Sequence, residues 1–142
     1  MNRDVVALVP AAGFGTRLGM GHKAFLSLNG RTLIARVIEM LSVTTDRIVA
    51  ALPQDILTTV CRTFPKTVQC IPGGQSRAHT LSLLAEHIDR SVVLVHDAAC
   101  PFTGLPLILE VLTAARTHRA AAAYAPPVHP AAQLDGGYLT AC

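Results

Sequence analysis

The sequence predicts an α/β fold, an open and mostly parallel sheet with helices packed on both faces. Three observations carry this. Short β-branched apolar runs alternate with segments whose apolar residues recur at three and four, the first a strand signal and the second one face of a helix. Loops punctuated by Gly and Pro follow the first, third and fourth of those runs. The 142 residues, 51% hydrophobic and 15% charged, suffice for one core and so for a single domain over residues 1–142.

The elements follow in order. ValValAlaLeuVal from Val5 is a continuous apolar run, as expected of a strand covered on both faces. Residues 32–41 place Leu33, Ile34, Val37, Ile38 and Leu41 on one helical face. ArgIleValAlaAlaLeu from Arg47 predicts a second buried strand, and residues 55–62 a short helix with Ile56, Leu57 and Val60 inward. ThrValGlnCysIle from Thr67 makes a third strand, stopped by Pro72, Gly73 and Gly74, and residues 77–88 a helix carrying Leu81, Leu83, Leu84 and Ile88. SerValValLeuVal from Ser91 is the fourth strand, and residues 105–117 the next helix. AlaAlaAlaAlaTyrAla from Ala120 is expected as a fifth strand, with helix the alternative that its alanines leave open. Strands that alternate with helices imply parallel neighbours joined by right-handed crossovers.

Composition narrows the function. The longest apolar runs fall far short of the roughly 20 residues that span a bilayer, and the start lacks the pattern of a secretory signal, so a cytoplasmic protein with no membrane partner is expected. Cys61, Cys70, Cys100 and Cys142 show neither zinc spacing nor the density of a disulfide scaffold, and are expected as free thiols. A net charge of +3 from scattered Lys and Arg makes no basic stripe for nucleic acid and suits a small phosphorylated ligand.

In a sheet of this kind ligands bind at the carboxyl ends of the strands. Three loops are expected there, at residues 10–23, 72–80 and 96–101. In the first, Gly13 and Gly15 admit backbone conformations closed to other residues, and small Ala11 and Ala12 let main-chain amides approach a ligand and cradle phosphate oxygens. Arg17 can fork onto phosphate oxygens, and Lys23 adds a point charge on a flexible stem. A plain surface turn is the other reading of a lone GlyXaaGly. The loop lacks the GlyLysSer or GlyLysThr of a P-loop and the third glycine of a dinucleotide fingerprint. Asp97, at a strand end, serves either as a hard oxygen ligand for Mg²⁺ or as a cap. Arg77 either reaches phosphate or stays solvated, and His96 is expected to bond backbone without an acid-base role.

Four motifs in order, ProAlaAlaGlyPheGlyThrArgLeuGly from Pro10, LysAlaPheLeu from Lys23, GlyGlyGlnSerArg from Gly73 and ValHisAspAlaAla from Val95, resemble the 2-C-methyl-D-erythritol 4-phosphate cytidylyltransferase family. The resemblance covers nearly the whole chain. It implies a Rossmann-like nucleotidyltransferase fold in three layers, and a reaction in which CTP and an alcohol phosphate give a CDP-alcohol and pyrophosphate. By matching position it assigns Pro10, Ala11, Ala12, Gly13 and Gly15 to backbone contacts with the nucleotide, and Arg17 and Lys23 to the triphosphate and the transition state. It sets Gly74 and Thr80 near the cytosine and ribose, Asp97 beside Mg²⁺, and Ala98 next to the nucleotide. Other sugar-phosphate nucleotidyltransferases share the first loop, and ribitol-phosphate cytidylyltransferases are the nearest competitor. A nucleotidyltransferase for another sugar phosphate or for molybdopterin, or an inert or fragmentary nucleotide-binding module, are the remaining alternatives.

Departures from the family pattern are specific. Cys100 stands where an Arg is usual, His22 where a Pro is usual, and Gln75 where the family has an acidic or polar residue. ProProValHisProAlaAlaGln from Pro126 replaces a polar, Lys-containing stretch. The family is homodimeric through an arm that lies beyond this length, so the resemblance implies a fold incomplete at its C-terminus. AspGlyGlyTyrLeuThr from Asp135 is expected to turn into a strand that ends before it can pair.

Overall fold

The computed structural model describes residues 2–13, 21–125, 133–135 and 138–141. Strand β1 (Val5–Pro10) is the apolar run at the start, and Val5 to Val9 are all buried. A 3-10 turn (Lys23–Phe25) leads into a small antiparallel hairpin of β2 (Ser27–Leu28) and β3 (Arg31–Thr32). The reading by periodicity left this hairpin out, although its signal is present: Asn29 and Gly30 take φ of 50° and 74°, the pairing favoured in tight hairpin turns.

Helix α1 (Leu33–Thr44) begins where the hydroxyl of Thr32 accepts the Ala35 N–H, and ends where Thr45 turns to an extended backbone. Its buried face holds Ile34, Val37, Ile38 and Leu41, as the spacing predicts. Then come β4 (Ile48–Leu52), α2 (Leu57–Cys61), β5 (Val68–Pro72), α3 (Arg77–Ala85), β6 (Val92–Val95) and α4 (Leu105–His118). Thr45 stitches α1 to the sheet: its hydroxyl donates to the Val5 carbonyl at 2.6 Å and accepts the Arg47 N–H at 3.2 Å.

The main sheet has the order β5-β4-β1-β6, parallel throughout. Alternate residues of its strands point to opposite faces. Val5, Ala7, Val9, Ile48, Ala50 and Leu52 pack with α1 and with Ile108 and Leu112 of α4, while Val6, Leu8, Val49, Ala51 and Ile71 pack with Leu84 of α3. Three layers result, and the order of strands reverses between β1 and β6. Among the described residues no helix is long and apolar enough to cross a membrane.

Three expectations need correction. Residues 120–125 form no regular strand or helix and are exposed; alanines contribute little apolar area, and Arg119, at φ 70°, breaks the chain out of α4 just before them. Helix α3 stops at Ala85, and the next two turns close through His87 and Ile88 N–H groups on Leu84 and Ala85 carbonyls, which leaves Ile88 exposed. The last strand does pair: β7 (Gln133–Asp135) and β8 (Tyr138–Ala141) form an antiparallel ladder with a register shift at Gln133 and Leu134. The ProValHisPro stretch lies outside the described residues.

Candidate functional site

The carboxyl ends of β1, β4, β5 and β6 open on one cavity of about 790 Å³. Pro10, Ala11, Ala12 and Gly13 line it after β1, Gly73 to Arg77 and Thr80 after β5, and Asp97 to Ala99 after β6, with Lys23 and Ala24 from the 3-10 turn. The three loops expected at one edge therefore converge. A fourth was missed: Pro53, Gln54 and Asp55 after β4 also line the cavity. The signal for it lay in the same rule, because a parallel neighbour of β1 delivers its own following loop to the same edge.

Main-chain ladders carry the loops into place. The Ala11 N–H donates to the Ala51 carbonyl at 2.9 Å, Gly73 to Leu52 at 2.8 Å and His96 to Leu8 at 3.0 Å. Gly73 is required by contact: a Cβ built there lies 2.0 Å from the Cβ of Ala12, so the β1 and β5 loops approach more closely than a side chain permits. A Cβ at Gly74 would meet the ring of His79 at 2.5 Å. Thr80 is buried, and its hydroxyl accepts the Gly74 N–H at 3.1 Å, so it shapes the loop at the same time as it lines the cavity.

Helix α3 aims its N-terminus at this space. Ser76 caps it by accepting the His79 N–H at 3.1 Å. Its first residue, Arg77, reaches the carboxylate of Asp97 through both terminal nitrogens, at 2.6 and 3.1 Å. The side chain of Asp97 is thus neither a cap nor bare, and Arg77 is not simply solvated. Asp97 in turn raises the affinity of the guanidinium for its proton, first by hydrogen bonding and then by charge. His96 is buried, and Nδ1 of its ring lies 3.0 Å from the Asp97 carbonyl. Burial pushes its pKa down, outweighing that backbone contact, so the ring is held neutral.

Of the residues singled out in sequence, Pro10, Ala11, Ala12, Gly13, Lys23, Gly74, Thr80, Asp97 and Ala98 line this cavity. Gly15 and Arg17 lie outside the described residues. Cys61, Cys70 and Cys100 are free thiols, and Cys142 lies outside the description. Cys100 is exposed and does not border the cavity.

The donor set fits Mg²⁺ in one way. No group of three or more His, Cys, Asp or Glu gathers among the described residues, so an all-protein cage is not offered. Asp97, a partly exposed carboxylate at the cavity wall beside the β1 and β5 loops, suits an ion that takes most of its shell from phosphate oxygens and water. Among the described residues, Lys23 and Arg77 are the cations of the lining.

Residues 5–135 match the family described as 2-C-methyl-D-erythritol 4-phosphate cytidylyltransferase (IspD). The enzyme of that name from Deinococcus radiodurans is 39% identical over 132 residues, which are 92% of this chain and 54% of that one. The one from Rhodococcus jostii is 40% identical over 119 residues, 81% of this chain and 53% of the relative. The crystal structure of the Thermus thermophilus enzyme superposes with a TM-score of 0.65 at 33% identity, over 80% of this chain and 50% of that chain. The chain spans about half the length of the curated relatives it matches. With the family match over residues 5–135 and a solved relative that shares the fold at 33% identity, the chain belongs to the 2-C-methyl-D-erythritol 4-phosphate cytidylyltransferase family, a family of nucleotidyltransferases.

Proposed function

We propose that this chain forms the CTP-binding half of a cytidylyltransferase that joins CTP to 2-C-methyl-D-erythritol 4-phosphate, giving the CDP-alcohol and pyrophosphate in non-mevalonate isoprenoid biosynthesis. The observation that carries the reading is the convergence of the Pro10 to Gly13 backbone, Lys23, the capped start of α3 and Asp97 on one cavity. Its volume lies within the range of small-molecule sites.

Nucleotidyl transfer needs positioning and charge neutralisation more than it needs a covalent nucleophile. On this reading the β1 loop amides hold phosphate oxygens, and the positive end of α3 adds to them. Lys23, with Arg17 from the same loop, neutralises charge that grows on the triphosphate as the acceptor phosphate attacks the α-phosphorus in line and pyrophosphate leaves. Gly74 and Thr80 shape the wall for base and ribose, and Ala98 leaves room beside the nucleotide. Asp97 would hold Mg²⁺, which would supply charge neutralisation to the triphosphate when bound. A cytoplasmic location accords with CTP as substrate.

Isothermal titration of the 142-residue chain with CTP, with and without Mg²⁺, tests the binding half of this. Saturable binding that Mg²⁺ strengthens is expected, and absence of any CTP binding at millimolar concentration sinks the reading. Pyrophosphate release from CTP and methylerythritol phosphate then reports whether this chain suffices for turnover.

A further inference from the structure

Lys23 owes its place to residues on either side of it. Downstream, Ala24 is buried in the main core and Phe25 packs against that core. Upstream stands His22, whose Nε2 lies 3.0 Å from Oδ2 of Asp55 on the turn after β4. The two residues are 33 positions apart, and they join the start of the Lys23 turn to the loop after β4, which also lines the cavity. The imidazole is mostly covered, with 13% of its side chain exposed, while Asp55 stands at the rim with 64%. Its ring also meets Phe25 edge-on, centroids 6.4 Å apart at 81°.

The backbone is set up for the same purpose. His22 takes φ of −70° and ψ of 106° and its carbonyl accepts the Phe25 N–H at 2.9 Å, which starts the turn. That φ is the one a proline ring would lock, so side-chain contacts here supply a restraint that a ring supplies covalently. Gly21 precedes it at φ +78°, a left-handed conformation that glycine adopts without strain. The hydrogen bond to His22 holds the Asp55 carboxyl below its ordinary value, as expected where the partner stabilises the anion.

We infer that His22 is a positioning residue for Lys23, and that its clasp on Asp55 fixes the backbone from which the Lys23 ammonium reaches the phosphate end of the cavity. This rests on the reading of the cavity as a triphosphate site. The clasp ties the segment before Lys23 to the loop after β4, and Lys23 carries its charge into the cavity lining on four flexible carbons. Where the stem is flexible, the placement of its Cα decides how often the charge arrives.

The test is titration of the whole chain with inorganic tripolyphosphate, with thermal melts to confirm that each variant folds. His22→Ala and Asp55→Ala are each expected to weaken binding about threefold to fivefold, the worth of a partly exposed ion pair, and the double variant no further. His22→Gln, whose side-chain amide nitrogen reaches the place of Nε2, is expected to restore most of the loss. In a Lys23→Met background His22→Ala is expected to change nothing, a coupling that a merely structural role does not produce. An unchanged affinity in His22→Ala, or an equal loss with and without Lys23, overturns the inference alone. Equal tripolyphosphate binding by the parent chain and Lys23→Met overturns the site reading and the inference with it.

Discussion

Arg77 and Asp97, both in the cavity lining, meet as a two-bond pair, 2.6 Å between Nη1 and Oδ1 and 3.1 Å between Nη2 and Oδ2. The first residue of α3 thereby occupies the carboxylate that best suits a divalent ion. Both side chains are partly exposed, 61% and 39%, so solvent screens the pair and its release costs about 1 kcal/mol or less. Asp97→Asn is therefore expected to abolish the Mg²⁺ dependence of CTP binding, with a loss of about tenfold or more in its presence, as for removal of a charged partner. Arg77→Met, by freeing the carboxylate, is expected to raise the gain from Mg²⁺ by no more than about fivefold. Titrations at several Mg²⁺ concentrations measure both.

Gly73→Ala places a methyl 2.0 Å from the Ala12 Cβ. Because the obstacle is a short side chain on an anchored loop, the loops must separate. A loss of about 1–3 kcal/mol is expected from the urea midpoint, together with weaker CTP binding. Gly74→Ala meets His79 on α3, with Cγ at 2.5 Å and Cβ at 2.8 Å; rotation of the ring does not move that Cβ, so the loop must shift here too and a loss of similar size is expected.

Leu84 is fully buried on the α3 face of the sheet, against Val6, Leu8, Val49 and Ala51. Leu84→Ala is expected to cost about 2–5 kcal/mol in chemical denaturation, by lost transfer energy and the cavity left behind. Ile88→Ala, one turn beyond the end of α3, is expected to change stability far less because Ile88 is exposed.

Stability should fall with acid in two windows. His96 is held neutral by burial, so its folded pKa lies below the unfolded value of about 6.5 and the unfolded chain binds the proton first. The contribution is full above that value and is lost as pH falls through the window below it. Asp4 is held below the usual carboxylate range by hydrogen bonds from Arg116, at 2.9 to 3.1 Å, and its contribution is full above about pH 4 and is lost on further acidification. Denaturation midpoints against pH are expected to flatten in the upper window for His96→Asn, which keeps a donor near the place of Nδ1, and only in the lower one for Asp4→Asn.

Thiol reactivity is expected to follow exposure. Burial, followed by the neighbouring Cys61 thiol, pushes the Cys70 pKa up to about 12, whereas Cys100 is exposed on the loop after β6. Brief alkylation at neutral pH should label Cys100 well ahead of Cys70, and peptide mass mapping reads the order. Labelling of Cys70 first would contradict the packing of β5 against α2.

Periodicity and turn chemistry are local properties, so they were legible without a structure. The spacing of Ile34, Val37, Ile38 and Leu41, the apolar run of β1 and the Gly-punctuated loops needed only neighbours in the chain. The rule that parallel sheets gather ligands at strand ends then brought Pro10, Lys23, Gly74 and Asp97 to one edge. Where local signals were weak they misled: alanines at 120–125 suggested a strand, and Ile88 suggested one more turn of helix.

What the sequence determined by itself was the α/β class, the order of its main strands and helices and three of the four loops that make the cavity, because each follows from contacts within a few residues or from one topological rule. Tertiary structure alone decided the pairings. Arg77 meets Asp97 twenty residues on, His22 meets Asp55 thirty-three residues on, and Gly73 lies against Ala12. Those meetings depend on strand order and on distances of a few ångströms between loops, which no periodicity encodes, and they govern how the charges around the cavity are held.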